Sequence, residues 1–405
     1  MKHDKSVVLL GFFARGNAGD EAFLHVQYEL LKDKYNIIVP IEHKNAHPDF
    51  RSWYPYTECE VINYDEIPRL YAPDVVGLHI GGGSLAFGFS GQFLLTALDA
   101  GKKTLVSGID AALKPRLPAD HIRFDIYNRL DFFSVRTIKS LDNLRKNDVA
   151  VHHGADWALG LGVIEPPAAK RGGALVTIRA FGEPPGDEHR RDMLALHRYL
   201  ERQGHRVRYL PFAPEDRGFL DLMPHVTPDM IENVWWDPRQ VKGLIAAADV
   251  VVSVGRLHTL ILSMTARTPT FAIDPKIMSD GRHILNRKNL NFTQEVGLDF
   301  FHSVDDLIGA YGDDFSSKIA VRDFSPDYYE RLESQKGFIR AILEADVDSL
   351  PARGEAGHWS GSTPGGRPLE DTLSSLKTEE EAREEKRRLK REEKRREKFE
   401  AREKV

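Results

Sequence analysis

The chain has 405 residues, is 41% hydrophobic and carries a formal net charge of −5, enough chain for two cores and an appendage. No run reaches the roughly 18–20 apolar residues that cross a bilayer, and the single cysteine, Cys59, excludes an intrachain disulfide and fits a reducing cytoplasm. Basic residues are in slight excess only in the C-terminal stretch, so the body is more acidic than the total; this excludes a nucleic-acid binder built on clustered Lys and Arg.

The first element is the apolar run "SVVLL" at residues 6–10. It lacks a small-residue cleavage site and continues directly into a glycine loop, so it reads as a core strand and not a signal peptide. The loop, "GFFARGNAGDEAFL", contains Gly16, Asn17, Gly19, Asp20 and Glu21 and leads into a helical pattern. Loops of this kind often cradle phosphate, but neither the Gly-x-Gly-x-x-Gly spacing nor the Gly-Lys-Ser/Thr ending of a P-loop is present. Further strands are predicted at "NIIVPI", "VVGLHI", "KTLVSGI", "FFSVR" and "VAVHH", most of them separated by helical patterns such as "LPADHIRFDIYNRL" and "TIKSLDNLRKN". This is the alternation of a parallel sheet covered on both faces.

Pro and Gly in "GVIEPPAAKRGG", residues 162–173, mark a linker, after which the alternation restarts. Strands are predicted at "ALVTIRA", "RVRYLPF", "VVVSV" and "TFAID". The helix "DEHRRDMLALHRYLERQG" ends at Gly204, and "DPRQVKGLIAAAD" opens with an Asp cap and a Pro at its first position. The helix "SPDYYERLESQKGFIRAILEA" closes the folded part. The fold class is therefore α/β, with two Rossmann-like doubly wound domains facing a cleft. Residues 1–165 form the first and 173–350 the second; 351–377 are a disordered Gly/Pro/Ser-rich linker and 378–405 a solvated, charged helical tail.

Ligands in such sheets bind beyond the carboxyl ends of the strands. At those ends the first domain has the opening loop and "HIGGGSLAFG", in which Gly82, Gly83 and Ser84 allow backbone to approach a ligand closely; close packing of loop on helix is the competing explanation. Arg136 follows the strand in "FSVRT" and Arg179 ends the first strand of the second domain. In "VVVSVGRLHTL", Arg256 and His258 stand at a strand-to-helix turn, where the helix N-terminus adds an anion site. Asp274 and Lys276 close the next strand. No His/Cys/Asp cluster has ligand spacing; "HHGAD" at residues 152–156 comes nearest and reads as a strand end. A cleft with one basic wall suits a small, doubly or triply charged anion, and the opposite wall suits a hydroxyl-rich acceptor.

"GNAGDEAFL", "HIGGGSL", "SVRTIKSLDNL", "GADWAL" and "VVSVGRLHTLILSMTARTPTFAIDPK", in this order over roughly residues 6–300, resemble the polysaccharide pyruvyl transferases. The resemblance implies two Rossmann-like domains of the glycosyltransferase-B type. It also implies transfer of the pyruvyl group from phosphoenolpyruvate to a sugar of a surface polysaccharide or its precursor, with a pyruvate ketal as product. It assigns phosphoenolpyruvate binding to Arg256 and proton donation to His258. Asp20 is then the expected base, Arg136, Arg179 and Lys276 further anion clamps, and Gly16, Asn17, Gly19, Glu21, Gly82, Gly83 and Ser84 the acceptor side. No cofactor or metal is expected, with phosphoenolpyruvate as co-substrate. The expected partner is a sugar or lipid-linked oligosaccharide, at a cytoplasmic location compatible with peripheral contact to membrane-bound biosynthetic machinery. The charged tail lies outside the resemblance. Two other readings fit the architecture: a glycosyltransferase using a nucleotide-activated sugar, and a non-catalytic scaffold with a partner-recruiting tail. Against the first, "LILSMTA" after the Arg-x-His turn is apolar and lacks a Glu pair; against the second, Arg256 and His258 are intact.

Overall fold

A computed structural model describes residues 3–83, 87–111, 124, 126–180, 186–273, 277–279, 282–284, 287–319 and 321–345. Ser84, Asp274, Lys276, most of the predicted helix at 117–130, and the linker and tail beyond 345 lie outside the described residues.

Strands β1 (Ser6–Leu10), β2 (Asn36–Ile41), β3 (Glu60–Asn63), β4 (Val75–Gly81), β5 (Lys103–Ile109), β6 (Phe132–Val135) and β7 (His152–His153) form one sheet in the order β3-β2-β1-β4-β5-β6-β7. All its pairings are parallel. β1 and β5 are buried along their whole length, as apolar runs covered on both faces must be. Strands β8 (Ala174–Ile178), β9 (Val207–Tyr209), β10 (Val250–Val254), β11 (Thr270–Ile273) and β14 (Phe300–Phe301) form the second parallel sheet, in the order β14-β11-β10-β8-β9. Strands β12 (Ile277–Ser279) and β13 (Arg282–Ile284) make a separate antiparallel hairpin.

The two doubly wound sheets match the fold class expected from the sequence. Of "VAVHH" only His152–His153 is extended, and of "RVRYLPF" only Val207–Tyr209. The edge strands β3 and β14 and the β12–β13 hairpin escaped the sequence reading because they are two to four residues long.

Helix α1 (Ala18–Leu31) begins where Asn17 Oδ1 accepts a hydrogen bond from the Gly19 N–H at 3.1 Å, with Asp20 and Glu21 in the favourable first turn. It is buried on almost every side because it lies at the junction of the domains. Its first amide, on Ala18, donates to Phe212 O of the second domain at 2.8 Å. One hydrophobic cluster runs from Val7 and Phe23 through Trp235 and Val241 to Leu260, so the two domains share a core. The helix Pro238–Ala246 starts as expected, with Asp237 as cap and Pro238 at its first position.

The last described helix, Pro326–Glu344, follows the second sheet in the chain but packs on the first. Ser134 Oγ donates to Gln335 Oε1 at 2.8 Å, Lys103 Nζ donates to Leu343 O at 3.1 Å, and Phe338 stacks on Phe132 at 5.5 Å. Among the described residues no helix is long and apolar enough to cross a membrane.

Candidate active site

In each sheet the strand order reverses beside the first strand of the domain: between β1 and β4 in the first, and between β8 and β10 in the second. These are the topological switch points where ligands of open α/β sheets bind. The loops that leave β1, β4, β8 and β10 carry the glycine loop, the triple glycine, Arg179, and Arg256 with His258. Two of these loops, from different domains, touch. A Cβ built on Gly19 would lie 1.9 Å from His258 Nδ1, and the His258 ring meets Phe23 of α1 edge-on at 5.0 Å.

Packing accounts for several of the glycines. Gly16, at φ +76°, lies against the Trp235 indole, where a Cβ would come within 2.3 Å; Gly82, at φ +78°, lies as closely against Phe23. Asn17 caps α1. Gly16, Gly19 and Gly82 are small because rings press on them. Gly83 keeps a place beside the site, with Asp20 Oδ1 3.7 Å from where its Cβ would be.

Glu21 is engaged within the first domain. It is buried, accepts from Tyr56 Oη at 2.5 Å and from the Gly16 amide at 3.3 Å, and the same Tyr56 oxygen accepts from the Ala14 amide at 2.5 Å. Burial, with a smaller contribution from neighbouring Asp20, pushes its carboxyl up to about 8. Glu21 therefore braces the glycine loop. Burial pushes Asp20 up to about 6, against the opposing charges of Arg136, Arg256 and Lys288.

On the facing wall, Arg256 caps the helix Leu257–Thr265 and one of its terminal nitrogens donates to the buried carboxylate of Asp216. Asp216 also accepts from the amides of Ala180 at 2.8 Å and Phe212 at 3.0 Å, so it is a fully engaged anchor. The buried Arg256 Nε has no hydrogen-bond partner among the described residues. Arg179 is exposed at the end of β8, within electrostatic reach of Arg256, Asp216 and Asp20.

Arg136 is held by two carboxylates. Its two terminal nitrogens donate to Asp156 at 2.6 Å and Asp110 at 2.5 Å, all three side chains being buried. Its buried Nε, like that of Arg256, has no hydrogen-bond partner among the described residues. Arg136 acts here as a fixed charge, and so does Lys288, whose ammonium is 3.7 Å from Asp110. Asp110, Asp216 and Lys288 were missed in the sequence because each gains its meaning from a partner far away in the chain. Asp156 stood in the quoted "GADWAL" and could have been found there.

His258 is enclosed by these groups. Its Nε2 is buried, 3.9 Å from Asp156 Oδ2, and finds no hydrogen-bond partner among the described residues. Burial, then the charges of Arg136, Lys288 and Arg256, hold its pKa well below the ordinary value, with Asp110 opposing. Burial and these cations thus favour the neutral imidazole. Beside His258, Asp20 offers a carboxyl raised to about 6. Around them are cations and a helix N-terminus that favour an anion.

Two parallel α/β domains with facing switch points, and a cationic wall opposite the Asp20 carboxylate, give a two-domain Rossmann-like fold of the glycosyltransferase-B type. Residues 17–276 match the sequence profile of the family described as "Polysaccharide pyruvyl transferase", and the chain belongs to that family. No curated protein matches the chain significantly. Among solved structures, a putative UDP-N-acetylglucosamine 2-epimerase from Listeria monocytogenes is similar with TM-score 0.56 at 13% identity, over 86% of this chain and 98% of that one. The UDP-GlcNAc 2-epimerase from Methanocaldococcus jannaschii is similar with TM-score 0.53 at 11% identity, over 85% of this chain and 100% of that one. At these identities the likeness concerns the fold alone.

Proposed function

We propose that the enzyme transfers the pyruvyl group of phosphoenolpyruvate to two hydroxyls of a sugar in a polysaccharide or its precursor, without a metal or organic cofactor. The observation that carries this reading is the meeting of His258, with its uncommitted Nε2, and Gly19, one residue from Asp20, across the domain junction. Phosphoenolpyruvate brings a carboxylate and a phosphate. Arg256, Arg179 and the amides opening the helix Leu257–Thr265 suit those anions, as Arg and helix N-termini generally do.

Binding the anions next to His258 offsets the three cations that depress its pKa, so the imidazole takes up a proton as substrate enters. Protonated His258 then delivers that proton to the methylene carbon, C3, and C2 becomes oxocarbenium-like. A sugar hydroxyl adds to C2 and gives its proton to Asp20. The second hydroxyl displaces phosphate by cleavage of the C2–O bond, its proton leaving with the phosphate or to water. The products are a methyl-bearing cyclic ketal and inorganic phosphate, so atoms and charge balance. General acid–base help of this kind contributes about 10²–10⁴-fold.

The test is ligand-dependent stability and turnover. At 100 times its dissociation constant, phosphoenolpyruvate should add about 2.7 kcal/mol to unfolding stability, whereas a UDP-sugar should add none. Release of phosphate from phosphoenolpyruvate should require a saccharide acceptor. Stabilisation by the UDP-sugar alone would favour the glycosyltransferase reading instead.

A further inference from the structure

A second cavity, of about 570 Å³, opens beside the glycine loop where the two domains meet. The first domain contributes His47, Trp53 and Tyr54, and the second Trp235 and Trp236. The rings are packed together at their rims: Trp53 to Trp235 at 5.5 Å, Trp235 to Trp236 at 5.3 Å, and His47 to both Trp53 and Trp235 at 5.0 Å. Trp53 and Trp235 are buried and set the wall, while Trp236 is half-buried and offers more of its surface.

This wall is physically continuous with the site already described. The His47 amide donates to Ala14 O at 2.7 Å, and Trp235 presses on Gly16. Three residues further on, Gly19 touches His258. Three residues of chain span at most about 10 Å, a length that a disaccharide bridges.

The lining also selects a chemistry. Among the described residues no Lys or Arg lines the cavity, and its polar groups include the Asp49 carboxylate and the Ser52 hydroxyl. Asp237 is already committed to Arg239 at 3.0 Å. With no Lys or Arg in the lining and the nearby Arg239 spent on Asp237, a nucleotide or a second phosphoenolpyruvate finds no cation for its phosphate here. Indole surface next to carboxylate and hydroxyl oxygens suits a neutral sugar ring, which presents C–H groups on its faces and hydroxyls at its rim.

We propose that this cavity binds the neutral sugar units adjoining the one that receives pyruvate, making it an oligosaccharide subsite. The proposal rests on the reading above in taking a saccharide as the substrate. The probe is a set of size-fractionated neutral oligosaccharides, prepared by mild acid hydrolysis of the host's surface polysaccharide and titrated calorimetrically into the full-length protein without phosphoenolpyruvate. Fragments of two or more sugars should bind, Trp236→Ala should weaken them about tenfold, and Trp236→Phe should retain most of the affinity. Single sugars should be indifferent to either substitution.

Equal affinity of wild type and a folded Trp236→Ala protein for the longer fragments would overturn the proposal. So would no binding of any fragment, or their displacement by inorganic phosphate. Because the titration omits phosphoenolpyruvate, failure of pyruvyl transfer would leave a Trp236-dependent saccharide site standing. Pyruvyl transfer to a single sugar, with no fragment binding, would remove the subsite alone.

Discussion

Gly19 of the first domain and His258 of the second are in such close contact that a single added carbon on the glycine would fall 1.9 Å from the imidazole. The site is thus assembled by the docking of two domains, and its tolerance for error is set at this contact. Gly19→Ala should fold, because the position is helical, but must displace the imidazole. A displacement on the order of 1 Å costs about 10²-fold in turnover, and overpacking a buried contact costs about 1–3 kcal/mol of stability. Steady-state kinetics beside thermal unfolding checks this: full turnover in Gly19→Ala would place the chemistry away from the contact.

His258→Gln keeps a hydrogen-bonding side chain but has no proton to give. Phosphoenolpyruvate affinity should persist while kcat falls by about 10²–10⁴. Since burial and neighbouring cations hold the pKa of His258 well below its ordinary value, phosphoenolpyruvate binding to the wild type should take up a proton at pH 7, and binding to the variant should not. Calorimetry in buffers of different ionisation enthalpy measures that number. Equal uptake by both proteins would assign the proton to another group.

Asp20, pushed up to about 6 by burial, should appear in the pH profile. If it accepts the proton of the sugar hydroxyl it must be ionised, so kcat/KM should fall as pH drops through about 6. Asp20→Asn should lower kcat/KM by about 10²–10⁴ and remove that acidic limb from the remaining activity. An unchanged limb in the variant would mean that it belongs to the substrate or to another residue.

Arg256→Lys keeps the charge and loses the planar fork, one nitrogen of which is bonded to Asp216. Phosphoenolpyruvate binding should weaken by about 1.5–3 kcal/mol, the range for hydrogen bonds to charged groups. A dissociation constant that does not move would leave Arg256 as the partner of Asp216 and nothing more.

Glu21 makes a prediction about stability. Its carboxyl is raised from the ordinary 4.5 to about 8, so between these values the folded protein holds a proton that the unfolded chain releases. The stabilisation tied to that proton is complete below pH 4.5 and is lost as pH rises through about 8. Glu21→Gln keeps an acceptor for Tyr56 and has nothing to ionise. Its melting temperature should match the wild type near pH 5 and exceed it at pH 9. The opposite order would mean that the carboxylate is stabilised in its charged form.

How far the site could be read in the sequence depended on where each residue's partner lies. Asp20, Arg256 and His258 stand at strand ends, beside glycines that interrupt apolar runs, and that local punctuation exposes them. Asp216 sits in an ordinary helix start, "PEDRGF", and matters only because Arg256, 40 positions later, turns back to it. Arg136 looked like an available clamp because nothing near it in sequence announces that Asp110 and Asp156 occupy both its arms. The sheets were legible because fully buried parallel strands are continuous apolar runs. The helix Pro326–Glu344 showed that it packs on something through Leu332, Ile339 and Leu343, but no pattern within it says which sheet.

That helix has a consequence for how the protein is made. A nascent chain exposes the first sheet's strands well before residues 326–344 leave the ribosome. Until then the surface around Phe132, Ser134 and Lys103 lacks its cover. The first domain therefore waits for the second to be synthesised before its own exterior is complete, and a fragment cut at the interdomain linker would carry an open apolar flank.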